Sequence, residues 1–340
     1  MYDPGTLYVD PILTNFSVGF RDQTLYGAEI MPVTEVRTPS GRYRTFDRSD
    51  WIAYQSRREP GTVANEVRGR KWSEDYFRTK EHSLQSAIQD EERQELYSQG
   101  GLADPVFGGA LQIDPERDAT NLITRSILLE HELKVANLIT NPVNYPASNT
   151  VALAAAAQWD NYTMTTAGMP YTTSSDPVAN IRTAIIQIWT LCRRYPNMLV
   201  IPRMGVPYIE NHPRIIERFK YFTLTDPEAM RRLTGFDGTI LLVDSKYNAA
   251  DNIEAPESIT DFWGKNVWIG IVDPEPGLLI QTFGKTFSQI YPDGTIRPTD
   301  RWREEARKSD VVRVSQKYDL KIVSAIAGYL MQTVFSSTAF

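Results

Sequence analysis

The chain is poor in the residues that build most small-molecule chemistry. It has one cysteine, Cys192, so no disulfide can form within it. Its three histidines, His82, His131 and His212, are scattered, and a Cys/His zinc site is excluded on that count. No apolar run approaches the roughly 20 residues that would span a bilayer. The start, Met1-Tyr-Asp-Pro-Gly, has no basic stretch followed by an apolar one. The pairs Gly100-Gly101 and Gly108-Gly109 belong to neither phosphate-binding glycine pattern, so no nucleotide loop is present. HExxH and GxSxG are absent too. Glu130-His131-Glu132 are adjacent on one helix and so face different ways, and His131 reads as a surface or interface residue. Cys192 and His212 could be spelled as a thiol dyad, but Cys192 lies on an apolar helix face, where cysteine is usually inert. His212-Pro213 interrupts a helix and reads as structural. The acidic run Asp90, Glu91, Glu92, Glu95 reads as a solvated face. No catalytic, cofactor-binding or metal-binding residue is assigned, and no cofactor is expected.

What is present suits a sizeable soluble core: 340 residues, 41% hydrophobic and 23% charged, enough for about two domains. The net charge of -6 argues against a surface made to grip nucleic acid. The charge is unevenly spread. Residues 36–80 hold 11 Lys/Arg against 6 Asp/Glu, a net of +5, and residues 81–118 hold 2 Arg against 9 Asp/Glu, a net of -7. Two such surfaces side by side suggest a contact, within one chain or between copies.

The longest regular signal is a helix over 118–140. Small and apolar residues recur there at gaps of three and four, from Ala119 to Leu138. Asp114 and Asp118 favour its start, and Asn141-Pro142 stops it. Arg125, Glu130, Glu132 and Lys134 give it a polar face. Residues 1–35 read as an extended arm, apolar yet punctuated by proline and glycine, which needs a groove to lie in and finds it on a neighbour. Residues 36–80 read as a long hairpin, basic and aromatic, with too few aliphatics for a core of its own. Its Tyr43, Phe46, Trp51 and Tyr54 among arginines could suit single-stranded nucleic acid, but the acidic neighbouring segment weighs against that. A polar helix is expected over 83–99. Asp176-Pro177 opens a buried helix with Val178, Ile181, Ala184, Ile185, Ile188, Trp189 and Cys192 inside. Short buried strands follow at 197–201, 239–243 and 267–272, with a helix over 207–222 broken at Pro213. Long strands are expected over 280–291 and 311–323, the second half-exposed, joined by an exposed charged piece at 297–308. The pattern is α+β.

Several stretches resemble one family. They are DPILTNFSVGF…AEIMPVTEV followed by GRYRTF, ANIRTAIIQIW followed by PNMLVIPRMGVPYIENHPRIIERFKY, FWGKNVWIGIV, and VVRVSQKYDLKIVSAIAGY. Together, in this order, they are similar to the major capsid protein of tailed bacteriophages, the HK97-like shell fold. The resemblance implies an N-arm at 1–35, an E-loop hairpin at 36–80, a peripheral domain at 81–175 and 280–323 with a long spine helix and a sheet, and a compact α/β axial domain at 176–279 and 324–340. It implies self-assembly into hexamers and pentamers of an icosahedral shell around double-stranded DNA, held without sequence-specific binding. Also implied are a separate scaffolding protein, a portal, a decoration protein, assembly in the host cytoplasm and a final place in the virion. No enzymatic role and no membrane are expected.

Inter-subunit contacts are expected at Arg42, Arg44, Arg68 and Arg70 of the hairpin, at Glu91 and Glu92 of the acidic segment, and at Phe16 and Phe20 of the arm. The arm is expected to order only on assembly. Two alternatives stand beside this reading. One is an encapsulin-type compartment of the same fold, distinguished by its cargo. The other is a carbohydrate-acting hydrolase using the 7 Trp and 17 Tyr, which would need two carboxylates converging in a cleft.

Overall fold

Three aspartate-proline pairs start the principal helices, because aspartate caps exposed backbone N–H groups and proline at the first helical position lacks the N–H that would go unpaired. The computed structural model describes residues 8–45, 56–58, 61, 63, 73–94, 114–161, 175–218, 231, 234–249, 256–273 and 281–336, apart from positions 21, 23 and 92. In it Asp10 Oδ1 accepts from the backbone N–H of Ile12 and Leu13 at 2.9 and 3.2 Å and opens α1 (Pro11–Gly19). Asp114 accepts from Glu116 N and opens α3 (Pro115–Thr140). Asp176 accepts from Ala179 N at 3.0 Å and opens α4 (Pro177–Cys192). A short α2 (Gly27–Ile30) lies between the first two. At 26 residues α3 is a rod of about 39 Å.

One mixed sheet is built on β14 (Ser309–Ile322). It pairs antiparallel with β5 (Lys80–Gln89) from Ser309↔Gln89 to Tyr318↔Lys80. It also pairs with β13 (Thr299–Glu304) and then with β12 (Gly284–Gln289). The arm supplies both outer strands: β1 (Tyr8–Val9) pairs with β13, and β2 (Val33–Val36) pairs with β12. The spine helix α3 crosses this sheet, with Ile123 and Ile127 packed on Val314. A second sheet runs β6 (Thr150–Ala152), β15 (Gly328–Gln332), β11 (Val267–Gly270), β7 (Met198–Pro202), β8 (Thr239–Val243). Against it pack α4, α5 (Val206–Glu210) and α6 (Pro213–Arg218), around the largest apolar core. Two small antiparallel pairs complete the fold: β3 (Ser40–Thr45) with β4 (Ser73–Arg78), and β9 (Lys246–Asn248) with β10 (Ile259–Asp261).

Several expectations are corrected. The arm is not uniformly extended: it contains α1 and α2. Nor does its groove lie only on a neighbour: Leu13 is buried with Ile88, Ala119 and Val312, and Ile30 and Met31 lie in the main core of the same chain. The expected helix over 83–99 begins as a strand. Ten register positions on β14 outweigh a weak local helical preference, and helical residues appear only from Asp90. The charged piece at 297–308 is largely the strand β13, whose Thr299 and Asp300 are buried. Strand β14 is buried on both faces over most of its first ten residues rather than half-exposed, since it is flanked by strands and covered by α3. Strand β8 is only partly buried, being the edge of its sheet. On α4 the expected buried face holds except at Trp189, which is exposed and stacks on Tyr195 with centroids 6.0 Å apart. His131 and Glu132 are buried, not on a surface.

Candidate assembly surface

The hairpin leaves the body from a tightly rooted base. Tyr43 of β3 and Phe77 of β4 alone cannot make a core, so they use Phe287 and Val323. Phe77 stacks on Phe287 with centroids 4.4 Å apart, and Tyr43 lies 5.4 Å from the same ring. Gly41 is required here, since a Cβ would come within 2.7 Å of the Phe77 ring. Tyr43 Oη donates to Asp75 at 2.7 Å. Burial, together with the Asp75 carboxylate, pushes the Tyr43 hydroxyl well above its ordinary pKa. The backbone N–H of Arg78 donates to Asp319 at 2.9 Å, and Thr79 meets Gln289 at 3.0 Å. The base is therefore rigid, whereas the outward edge is open: Arg42 and Tyr76 are exposed.

Beside the spine's start lies a lattice of ion pairs. Asp310 receives Arg93 at 2.6 Å, Arg303 at 3.3 Å and Arg301 at 3.5 Å. Glu116 receives Arg301 at 2.7 Å and Arg93 at 3.0 Å. Arg303 also grips Asp90 with two bonds, 2.5 and 2.6 Å, the bidentate geometry that suits guanidinium and carboxylate. Burial opposes ionisation of Asp310, yet the Arg93 bond and charge hold its carboxyl below the usual range. Nearby Arg313 holds Asp300 at 2.6 and 3.1 Å and lies over Trp302. These pairs tie the residues just after β5 to β13, β14 and α3.

A third cluster sits at mid-spine. The Glu132 carboxylate, 1% exposed, accepts from the backbone N–H of Gly27, from Trp263 Nε1 at 3.1 Å and from Ser245 Oγ at 3.3 Å. Burial raises its pKa, and those donors pull against that rise. The next residue back, His131, meets Thr286 Oγ1 at 3.3 Å and lies edge-on to Tyr318, whose face stacks on His82. Beside this cluster a cavity of about 680 Å³ opens under the arm's turn, lined among others by Phe20, Leu25, Leu128 and Arg297.

The predicted contact residues fall as follows. Arg42 pairs with Glu74 of its own hairpin at 3.3 Å, an exposed pair of the kind worth little. Arg44 belongs to β3 and Phe16 to α1, and their side chains lie outside the described residues, as do Arg68, Arg70 and Glu92 altogether. Glu91 is exposed just after β5, and Phe20 lines the cavity. The three described ones lie in different parts of the fold: Arg42 on the hairpin, Glu91 after β5 and Phe20 at the cavity under the arm's turn. Sequence reasoning missed the lattice at Asp310 and the Glu132 cluster. Cys192 and His212 are both buried; Cys192 donates to the Ile326 carbonyl at 3.3 Å and His212 meets Ser175 at 3.1 Å. Among the described residues no group of three His, Cys, Asp or Glu could hold a metal ion, and no helix is long and apolar enough to cross a membrane.

No family model matches the chain. The major capsid protein of Burkholderia phage BcepMu is 27% identical over 334 residues, 96% of this chain and 96% of that one. A phage-related protein from Bordetella bronchiseptica RB50, known as a crystal structure, superposes with a TM-score of 0.70 at 24% identity, covering 96% of this chain and 97% of that one. The capsid structure of cyanophage P-SCSP1u superposes with a TM-score of 0.56 at 11% identity, covering 92% and 89%. The spine helix, rooted hairpin, arm and two sheets make up the HK97-like capsid fold, and along nearly its whole length this chain is similar to a phage major capsid protein.

Proposed function

We propose that the chain is the major capsid protein of a tailed bacteriophage, forming hexamers and pentamers of an icosahedral shell. The observation that carries this reading is the end-to-end similarity to a phage major capsid protein, 96% of both chains. In this reading residues 1–35 are the N-arm and 36–80 the E-loop. Residues 81–175 with 280–323 form the peripheral domain, and 176–279 with 324–340 the axial domain. The role is structural, and no catalytic step is assigned to any residue.

The rooted base and open basic edge of the hairpin support a contact in which Arg42, Arg44, Arg68 and Arg70 reach an acidic surface of a neighbouring subunit. Glu91 and Glu92 are candidates for that surface. Asp90 and Glu116 are less available, being held by arginines of their own chain. Exposed pairs contribute about 0–1 kcal/mol each, so several must act together. The enclosed genome is double-stranded DNA, touched without sequence readout. The net charge of -6 supports an inner face that is not basic, over which packed DNA would not be held by phosphate contacts. A separate scaffolding protein, a portal and a decoration protein complete the particle, which forms in the host cytoplasm. Nuclease-treated particles purified from infected or induced cells test the reading. It expects protected double-stranded DNA inside shells of this chain. Shells filled with an enzyme and no DNA, as in a compartment protein, would refute it.

A further inference from the structure

We propose that Glu132 is a positioning residue that couples the seat of the arm to the second sheet's side of the molecule. This rests on the reading of residues 1–35 as an assembly arm. Three stretches far apart in sequence meet at one carboxylate: the arm's turn at Gly27, the spine at Glu132 itself, and Ser245 and Trp263 beyond β8 and β10. Among the described residues no cation forms an ion pair with Glu132. Hydrogen-bond donors alone stand in for the water that the buried charge has lost, and a buried charge so held is costly to strip of any one donor.

Two features make those bonds decisive for the arm. The first is the cavity of about 680 Å³ beside the turn, whose lining includes Val18, Phe20, Leu25, Leu128 and Arg297. Tyr26, Ile30 and Met31 pack on the main core, and on the cavity side the turn is held by its hydrogen bonds. The second is Gly27. A Cβ on it would come within 2.7 Å of Glu132 Oε2, so the backbone approaches the carboxylate as only glycine allows. The arm also touches the far side directly, through Tyr26 Oη and Asp244 at 3.3 Å. Ser245 and Trp263 hold one carboxylate oxygen, Oε1, and so fix the place of the other, Oε2, where Gly27 meets it. Removing the donors on the Ser245–Trp263 side changes how firmly the anion sits, and so how firmly it holds Gly27. A change in the arm on assembly is thereby felt in the second sheet, and the reverse.

The test is hydrogen exchange on unassembled full-length protein, following the amides of residues 27–31. The variants are Ser245→Ala, Trp263→Phe, Glu132→Gln and the double variant Glu132→Gln/Ser245→Ala. Neither Ser245 nor Trp263 donates to the arm. Each single variant is expected to speed exchange there about tenfold, the scale of one lost bond to a charged group. In Glu132→Gln the new NH₂ faces a donor. The double variant is expected to match Glu132→Gln, because with one accepting oxygen replaced by NH₂ the two-sided anchoring of the carboxylate is already broken. Arm exchange unchanged by Ser245→Ala and Trp263→Phe would overturn the coupling, as would additive effects in the double variant. If Glu132→Gln does not fold, Ser245→Ala alone decides. Shell formation is scored separately, so failure to make shells would refute the capsid reading and leave the exchange result standing.

Discussion

Lowering the pH below neutrality should weaken this fold through His131. The side chain is 6% exposed, on the inner face of the spine. Burial, helped by the charges of Lys134, Arg297 and His82 and opposed by Glu130, lowers its pKa from 6.5 to about 4. The unfolded chain therefore binds a proton near pH 6.5, while the folded chain resists until about pH 4. Between those values the unfolded state holds more protons, so stability falls as pH falls. A fall from 6.5 to about 4, at about 1.36 kcal/mol per pH unit, is worth about 3 kcal/mol, fully present above pH 6.5 and lost by about pH 4. The perturbation is His131→Gln, which keeps a hydrogen-bonding group toward Thr286 and cannot titrate. Urea unfolding of the unassembled protein at half-unit steps from about pH 7.5 to 4 measures the slope. The native chain should lose about 3 kcal/mol more than the variant across that range. Parallel curves for the two proteins would refute the reasoning.

Asp10→Ala should cost about 1 kcal/mol, the usual worth of an N-cap, and should expose Leu13 amides to exchange while sparing the second sheet. Phe77→Ala should cost about 3–5 kcal/mol and free the hairpin base, because it leaves the Phe287 face unstacked; proteolysis within residues 46–72 would then become faster. A hairpin cut at the native rate in that variant would contradict the rooting described above.

The spine's end at Thr140, the break at Pro213 and the buried face of α4 apart from Trp189 are legible in the amino-acid order, because spacing and proline stops are local signals, while the spine's start lies three residues before the expected Asp118. The aspartate-proline start Asp10-Pro11 is harder to read in the arm, where glycines and prolines on either side hide a nine-residue helix. His131 is legible in principle. Ile123, Ile127, His131, Val135 and Ile139 recur every four residues, and all are buried. Glu132 is not legible, since only the fold brings Gly27, Ser245 and Trp263 to it. Strand β5 misleads because its exposed, polar sequence has a helical composition, and ten pairings on β14 decide its state. The ion-pair lattice is likewise hidden, its members coming from stretches more than 200 residues apart.

A cryo-electron-microscopy reconstruction of particles purified with this chain tests the central claim most directly. The account predicts a closed icosahedral shell in which this chain repeats as hexamers and pentamers, with the hairpin beyond Thr45 and Ser73 lying on a neighbouring subunit. Particles built from another protein, or a chain that remains monomeric with its hairpin folded on its own body, would contradict it.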